Sequence, residues 1–208
     1  MENLIIYAFI YLLGSIPFGL ILAKFFAKTD IKKEGSKSIG ATNVLRVVKE
    51  KNPKLAKKLA IATIILDFAK AAIPLLILKF LHYDQALLWS VAVLAIFGHC
   101  FSIYLLFEGG KGIATGAGAM IVLLPLEVLT AFIVWVVIGK IFKISSLASL
   151  AALLAFVISS FIFNYDLEIH THAPVFIIAF IIVYKHLPNI KRLFLKKNAK
   201  SYKNKISL

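Results

Sequence analysis

The sequence predicts an all-α fold: a polytopic transmembrane helical bundle of seven spans, several of them short, forming one domain over residues 1–208. Three observations predict it. Hydrophobic residues make up 61% of the 208-residue chain. Charged residues make up 16%, against about 25% in soluble domains. The apolar residues also fall into runs of roughly membrane-crossing length, separated by short polar stretches. A soluble domain of this composition would expose large apolar patches and associate. The polar, low-hydrophobicity composition of a disordered chain is equally excluded. One cysteine, Cys100, excludes an intrachain disulfide and any multi-cysteine metal centre.

The first run, Leu4–Phe26, is long enough to cross a bilayer core, which takes about 20 apolar residues in a helix. It has no basic stretch before it and no small-x-small cleavage site after it, so it reads as a retained span and not a signal peptide. Leu59–Leu81 and Ala86–Phe107 follow. Hydropathy alone would then join Gly112 to Gly139, but Pro125 and Glu127 interrupt that run. Proline is costly inside a helix, and a carboxylate at mid-bilayer costs roughly 2.5–3.5 kcal/mol. The run therefore divides into Gly112–Leu124 and Leu126–Gly139, before Ile144–Phe163 and Ala173–Tyr184 complete the set.

Charge tests the division. Lys24–Lys58 holds eleven Lys/Arg, and Lys185–Leu208 holds eight with no acid. Basic stretches next to spans stay in the cytoplasm. The N-terminus is then outside, the C-terminus is cytoplasmic, and the number of crossings is odd. Seven crossings satisfy this and six do not; five would also satisfy parity. Seven place 22 of the 24 basic residues inside, the exceptions being Lys70 and Lys79, and put Glu127 outside. Asp67 and Lys70, three apart in Leu59–Leu81, read as a buried ion pair. The basic tail, Lys196 to Lys205, reads as a device for topology and anionic-lipid attraction.

Polar residues gather in four places, all on the side assigned to the cytoplasm. Gly35–Arg46 (GSKSIGATNVLR) combines glycines, Ser36, Ser38, Thr42, Asn43 and Arg46. Glycines let backbone N–H groups turn toward an anion, and arginine holds phosphate oxygens in a fork. Glu108–Thr115 (EGGKGIAT) surrounds Lys111 with Gly109, Gly110 and Gly112 and ends on Thr115. It is not a Walker A loop, because Leu105 stands where that pattern needs glycine. It fits either an anion nest or a tight interhelical turn. His186–Arg192 (HLPNIKR) places His186 and Asn189 on one helix side if the helix continues past Pro188. In Ser145–Ser149, Ser145 and Ser146 read as helix caps, and Ser149 as a residue facing a shared cavity. Together these stretches predict a site for a doubly charged phosphate at the bilayer surface, beside helices able to admit a lipid chain. No Ser-His-Asp set and no metal-ligand spacing is present, so neither cofactor nor metal is expected, and nucleic acid is not an expected partner. A transporter or flippase for a phosphorylated solute is the competing class, though no internal repeat supports it. A non-catalytic scaffold for anionic lipids would explain the tail but not the clusters.

The same stretches, with GSIPFG (Gly14–Gly19), DFAKAAIP (Asp67–Pro74) and GHCFSIYLLFEGGKGIAT (Gly98–Thr115), resemble the bacterial membrane glycerol-3-phosphate acyltransferases that use acyl phosphate as donor. The resemblance runs nearly end to end. It implies transfer of an acyl group from acyl phosphate to the 1-hydroxyl of sn-glycerol 3-phosphate. The products would be 1-acylglycerol 3-phosphate and phosphate, an early step of phospholipid synthesis. It also implies a multi-pass protein of the bacterial inner membrane with its site facing the cytoplasm, membrane lipids as surroundings, and acyl phosphate supplied by a separate soluble enzyme. Ser36, Arg46, Lys111, His186 and Asn189 would be catalytic. Ser38, Thr42, Asn43, Gly109, Gly110, Gly112, Thr115 and Ser149 would bind substrate. The His-x4-Asp dyad of acyl-CoA-dependent enzymes is missing: none of the five histidines has aspartate five positions on. Two departures stand out. Lys37-Ser38 replaces the family's usual Gly-Asn, and Phe194-Leu195-Lys196-Lys197 replaces a stretch that normally carries glycine and glutamate.

Overall fold

Two proline breaks shape the bundle. The computed structural model describes residues 1–206, and for residue 194 and residues 196–206 the backbone alone. The first apolar run forms α1 (Glu2–Ser15) and α2 (Phe18–Ala27), parted at Ile16-Pro17. The second break falls at Leu124: α6 (Ile113–Leu123) ends there, and α7 (Pro125–Phe142) starts with Pro125 in its first turn. Proline suits that position because its missing N–H would have no helical partner anyway. Between these lie α3 (Ala41–Lys49), α4 (Pro53–Phe80), α5 (Gln85–Cys100) and a 3₁₀ turn at Ile103–Leu105. The chain closes with α8 (Ser145–Phe163) and α9 (Ala173–Ile206). No strand occurs among the described residues.

Six stretches are long and apolar enough to cross a membrane: Glu2–Ala27, Pro53–Phe80, Gln85–Leu105, Pro125–Phe142, Ser145–Phe163 and Ala173–Leu193. The seventh apolar helix, Ile113–Leu123, has 11 residues, about 16 Å of rise against a core of about 30 Å. α9 continues through Pro188, so the register of His186 and Asn189 is helical. The side chains of the basic tail from Lys196 on, and of Phe194, lie outside the described residues.

Three sequence expectations change in detail. Ser145 and Ser146 are not caps; Ile144 holds the cap position, without a side-chain hydrogen bond. Glu127, at the break, is 0% exposed and accepts a hydrogen bond from Asn164 Nδ2, tying the start of α7 to the end of α8. Its place in the first turn of α7 also suits a carboxylate, where the helix dipole is positive. Asp67 and Lys70 do pair, at 2.9 Å, but His99 joins them.

Small residues bring the helices together. A methyl group on Gly14 would lie 2.5 Å from the Ala95 carbonyl oxygen, and one on Gly98 2.5 Å from that of Tyr11, so α1 and α5 touch backbone to backbone. Gly118 does the same for α6 against Phe68 of α4, at 2.1 Å. Lipid cannot drive helices together hydrophobically as water does, and close backbone packing takes over that role. α3 is different: nine residues are too few to hold a helix alone. It is anchored through Val44, Val47 and Val48, which join Ile31, Ile39, Leu20 and Leu59 in a second small core. Burial of each valine contributes about 1.5–3 kcal/mol. The opposite face presents Arg46.

Gly118→Val should force α6 away from α4. Expected is a loss of roughly 1–3 kcal/mol, seen as a lower midpoint of thermal unfolding in detergent. An unchanged midpoint would contradict the close packing.

Candidate functional site

A cavity of about 860 Å³ enters the bundle between α3, α4, α6, α7, α8 and α9. Its polar end is built by Ser36, Ser38, Thr42, Arg46, Lys111, Ser149, His186 and Asn189, residues drawn from all four sequence clusters. Gly112 and Asn43 also border it. Thr42 Oγ1 and Ser145 Oγ lie 3.2 Å apart, joining the first loop to the start of α8. Lys111 precedes α6 and Lys143 follows α7, yet both line this cavity, so the two helices run inward and back.

Asn43 is the brace of the first loop. It is 1% exposed. Its Oδ1 accepts from the Ser36 N–H at 2.8 Å, and its Nδ2 donates to the carbonyls of Ile31, Ser38 and Glu34 at 2.9, 2.9 and 3.2 Å. Its side-chain groups are thus committed to loop atoms, which makes it a support for Ser36 and not a hand for substrate. Lys37 sits at φ +59°, a left-handed conformation glycine adopts without strain. Lysine holds that conformation here.

The second loop divides between the two expectations. Gly109 N–H is donated to Cys100 O at 3.1 Å, and Gly110 N–H to His99 O at 2.8 Å. Neither glycine borders the cavity, and neither N–H is left for an anion. These two form the tight turn, laid against α5. Thr115 is wholly buried and does not reach the cavity. Gly112 caps α6 at φ +82°, with its α-carbon side pressed on Cys100, Ile182 and Ile96. The first N–H groups of α6 thereby open beside Lys111, where an unpaired helix start attracts an anion.

His186 is 1% exposed, and its Nδ1–H donates to Ile182 O at 2.8 Å, one helical turn back. Nε2 is thereby the ring atom left to face the cavity. Nearly two turns further along α9, Arg192 also lines the cavity, as does Lys143. Sequence reasoning placed Arg192 in the third cluster without assigning it a role; its three-residue spacing from Asn189 was the available signal. Asp67 and His99 also line the cavity; the sequence read Asp67 only as the partner of Lys70, and His99 stands alone in its apolar run.

Lys111 carries the clearest electrostatic signature. Burial, with Arg192 and Arg46 nearby, pushes its ammonium from the ordinary 10.5 down to about 8. None of Arg46, Lys111 and Arg192 forms a salt bridge among the described residues. Glu108 turns to Lys32 instead, at 3.3 Å. Deeper in, the wall is apolar: Phe68, Met120, Leu129, Phe132, Leu153 and Phe156. Leu129 and Phe132 are also more than half exposed, so the cavity opens sideways toward lipid. No cluster of three or more His, Cys, Asp or Glu fit to hold a metal occurs among the described residues.

Residues 4–196 match the protein family described as Glycerol-3-phosphate acyltransferase. The chain belongs to that family. It is 98% identical over 200 residues to the glycerol-3-phosphate acyltransferase of Campylobacter jejuni subsp. jejuni serotype O:6, covering 96% of this chain and 99% of that one. The enzyme of the same name from Campylobacter lari is 65% identical over 96% of this chain and 99% of its own. The crystal structure of PlsY (YgiH), an integral membrane glycerol 3-phosphate acyltransferase, in its glycerol 3-phosphate form, superposes with a TM-score of 0.82 at 32% identity, over 94% of both chains. Its lysophosphatidic acid form superposes at 0.80 and 33%, over 94% of this chain and 93% of that one. The chain is therefore a membrane acyltransferase, and the transporter expectation falls.

The depressed Lys111 predicts a pH limb. Lysine holds an anion only while protonated, so phosphate affinity persists below about 8 and falls as the pH rises through it. Between about 8 and 10.5 the unfolded chain binds the extra proton, so stability rises with pH as affinity falls. Titration calorimetry with inorganic phosphate checks this. Lys111→Arg should move the limb upward, because guanidinium keeps its charge. A limb that stays in place in Lys111→Arg would contradict the assignment.

Proposed function

We propose that this cavity binds acyl phosphate and sn-glycerol 3-phosphate together and moves the acyl group from the first to the 1-hydroxyl of the second. The single observation that carries the reading is the cavity's two-part wall, with cations lacking a carboxylate partner at one end and an apolar, lipid-open slot at the other. A donor with a phosphate head and an acyl tail has that same division. From Arg192 to Ile178 on α9 the slot extends fourteen residues, about 21 Å, roughly two-thirds of the hydrocarbon core of about 30 Å.

An acyl phosphate is already activated as a mixed anhydride. The enzyme must chiefly hold two anions together and aim a hydroxyl, and such orientation contributes several kcal/mol. Arg46, Lys111 and the N–H groups at the start of α6 offset the repulsion between the two phosphates and stabilise charge developing on the acyl oxygen. His186 and Asn189 hold the glycerol phosphate, with Ser149 and Ser36 beside them. The hydroxyl oxygen bonds to the acyl carbon, the acyl carbon–phosphate oxygen bond breaks, and phosphate leaves with the electron pair. The hydroxyl proton goes to a phosphate oxygen of a bound substrate. Phosphate is a ready base, and the hydrogen bonds of His186 give its ring a carbonyl rather than a carboxylate partner.

The basic loops support a reading in which this end of the cavity faces the cytoplasm from a bacterial inner membrane, with the N-terminus outside, the C-terminus inside and seven crossings that include the short α6. Acyl phosphate would come from a separate soluble enzyme.

The donor assignment is checked with purified protein, glycerol 3-phosphate and either palmitoyl phosphate or palmitoyl-CoA. Lysophosphatidic acid should form only with the phosphate; formation from the thioester alone would refute it. Arg46→Ala and Lys111→Ala should each lower kcat/KM about a hundredfold or more while the protein still inserts and stays monodisperse. His186→Gln should raise KM for glycerol 3-phosphate and keep measurable turnover. Complete loss of turnover with unchanged KM would instead make His186 the base.

A further inference from the structure

Asp67, Lys70 and His99 form a buried cluster to which the reaction above gives no role. They are 3%, 5% and 4% exposed. Lys70 Nζ lies 2.9 Å from Asp67 Oδ1, 2.9 Å from His99 Nδ1 and 2.9 Å from the carbonyl oxygen of Ile16, where α1 ends. An ammonium has three N–H donors and no acceptor. Two of them are used on the Ile16 carbonyl and on His99 Nδ1, while Asp67 supplies the countercharge as an ion pair without a hydrogen bond. The motifs GSIPFG, DFAKAAIP and GHC therefore meet on a single nitrogen.

The arrangement fixes the tautomer of His99. Nδ1 receives a hydrogen bond from Lys70, and Asp67 Oδ1 stands 3.6 Å from that nitrogen, beyond useful hydrogen-bond reach. The ring proton is accordingly assigned to Nε2. That nitrogen takes part in no hydrogen bond among the described residues. It lies against Gly110: a methyl group there would come within 2.1 Å of it. Gly110 is the residue before Lys111, its own N–H is already given to His99 O, and His99 borders the cavity. The missing side chain of Gly110 leaves the imidazole N–H uncovered beside the phosphate end. Asp67 also borders the cavity, but Lys70 neutralises it, so it does not oppose an anion.

We infer that His99 Nε2–H donates a hydrogen bond to a phosphate oxygen of a substrate held by Lys111, and that Lys70 is the positioning residue that keeps the proton on that nitrogen. The inference rests on the reading of the cavity as a phosphate site. Both substrates bring a phosphate group, and the assay is arranged to tell which one His99 touches.

Steady-state kinetics are measured with palmitoyl phosphate varied at fixed glycerol 3-phosphate, and the reverse, for the wild type, His99→Gln, His99→Phe and Lys70→Met. A hydrogen bond to a charged group predicts that His99→Phe raises KM for one substrate about tenfold or more. The substrate so affected identifies the phosphate. Glutamine places an amide N–H near the Nε2 position, so His99→Gln should recover most of the loss. Lys70→Met should raise the same KM, because the ring proton is no longer held on Nε2. Gly110→Ala supplies a second route, covering Nε2 with a methyl group. It should raise the same KM in the wild type and add little in a His99→Ala background. Equal impairment of His99→Gln and His99→Phe would overturn the inference, since packing alone would then explain the residue. So would values within about twofold of wild type in His99→Phe, or in Gly110→Ala should His99→Phe fail to fold. Wild-type turnover is the reference: its absence defeats the donor reading, whereas normal wild-type turnover with an unaffected His99→Phe defeats this inference alone.

Discussion

The structure depends on cations kept without carboxylate partners. Arg46, Lys111 and Arg192 share one cavity wall, and burial beside the two guanidinium groups pushes Lys111 down to about 8. Acids are not lacking in the neighbourhood, but each is occupied elsewhere. Asp67 is held by Lys70 at 2.9 Å, Glu108 by Lys32 at 3.3 Å and Asp30 by Lys24 at 3.4 Å. On the proposed reading, a phosphate dianion would relieve the mutual repulsion of these cations, and two such anions would relieve it further. A carboxylate among the three cations would remove that repulsion and, with it, much of the affinity.

The rest of the bundle holds these charges in place. α3 is pinned by its valines so that Arg46 faces outward over the cavity mouth. Asn43 ties the loop before it to its own helix, and Thr42 reaches Ser145 at 3.2 Å. The break at Leu124 lets α6 and α7 return the chain to the polar end, bringing Lys111 and Lys143 to one wall. The sideways opening past Leu129 and Phe132 joins the polar site to the bilayer. On the proposed reading, a water-soluble phosphate ester and a lipid-borne donor would have separate approaches to one reacting centre.

Much of this was legible in the residues, and what was not has a physical reason. The proline at 125 and the clusters around Arg46, Lys111 and His186 carry local signals, because turn chemistry and polar groups stand out against apolar helices. The pairing of Asp67 with Lys70 follows from helical spacing. His99 has no such signal, since its partners lie 29 and 32 residues earlier in sequence and meet it only through the packing of α4 on α5. Gly109 and Gly110 look like a nest because glycine spacing cannot say which N–H groups the neighbouring helix will take. Asn43 looks like a substrate contact for the same reason: its amide fits an anion as well as it fits its own loop. Glu127 reads as a carboxylate at the break between two runs, while Asn164 supplies the buried partner that periodicity cannot reveal.

The most direct test is to map accessibility in a Cys100→Ala background, with single cysteines at Thr42, Ser145 and Asn189, in sealed vesicles of both orientations. A membrane-impermeant thiol reagent should label all three positions from the cytoplasmic side only, and glycerol 3-phosphate should slow labelling at each. Labelling from opposite sides, or protection at one position without the others, would contradict a single pocket that gathers these distant segments around its substrates.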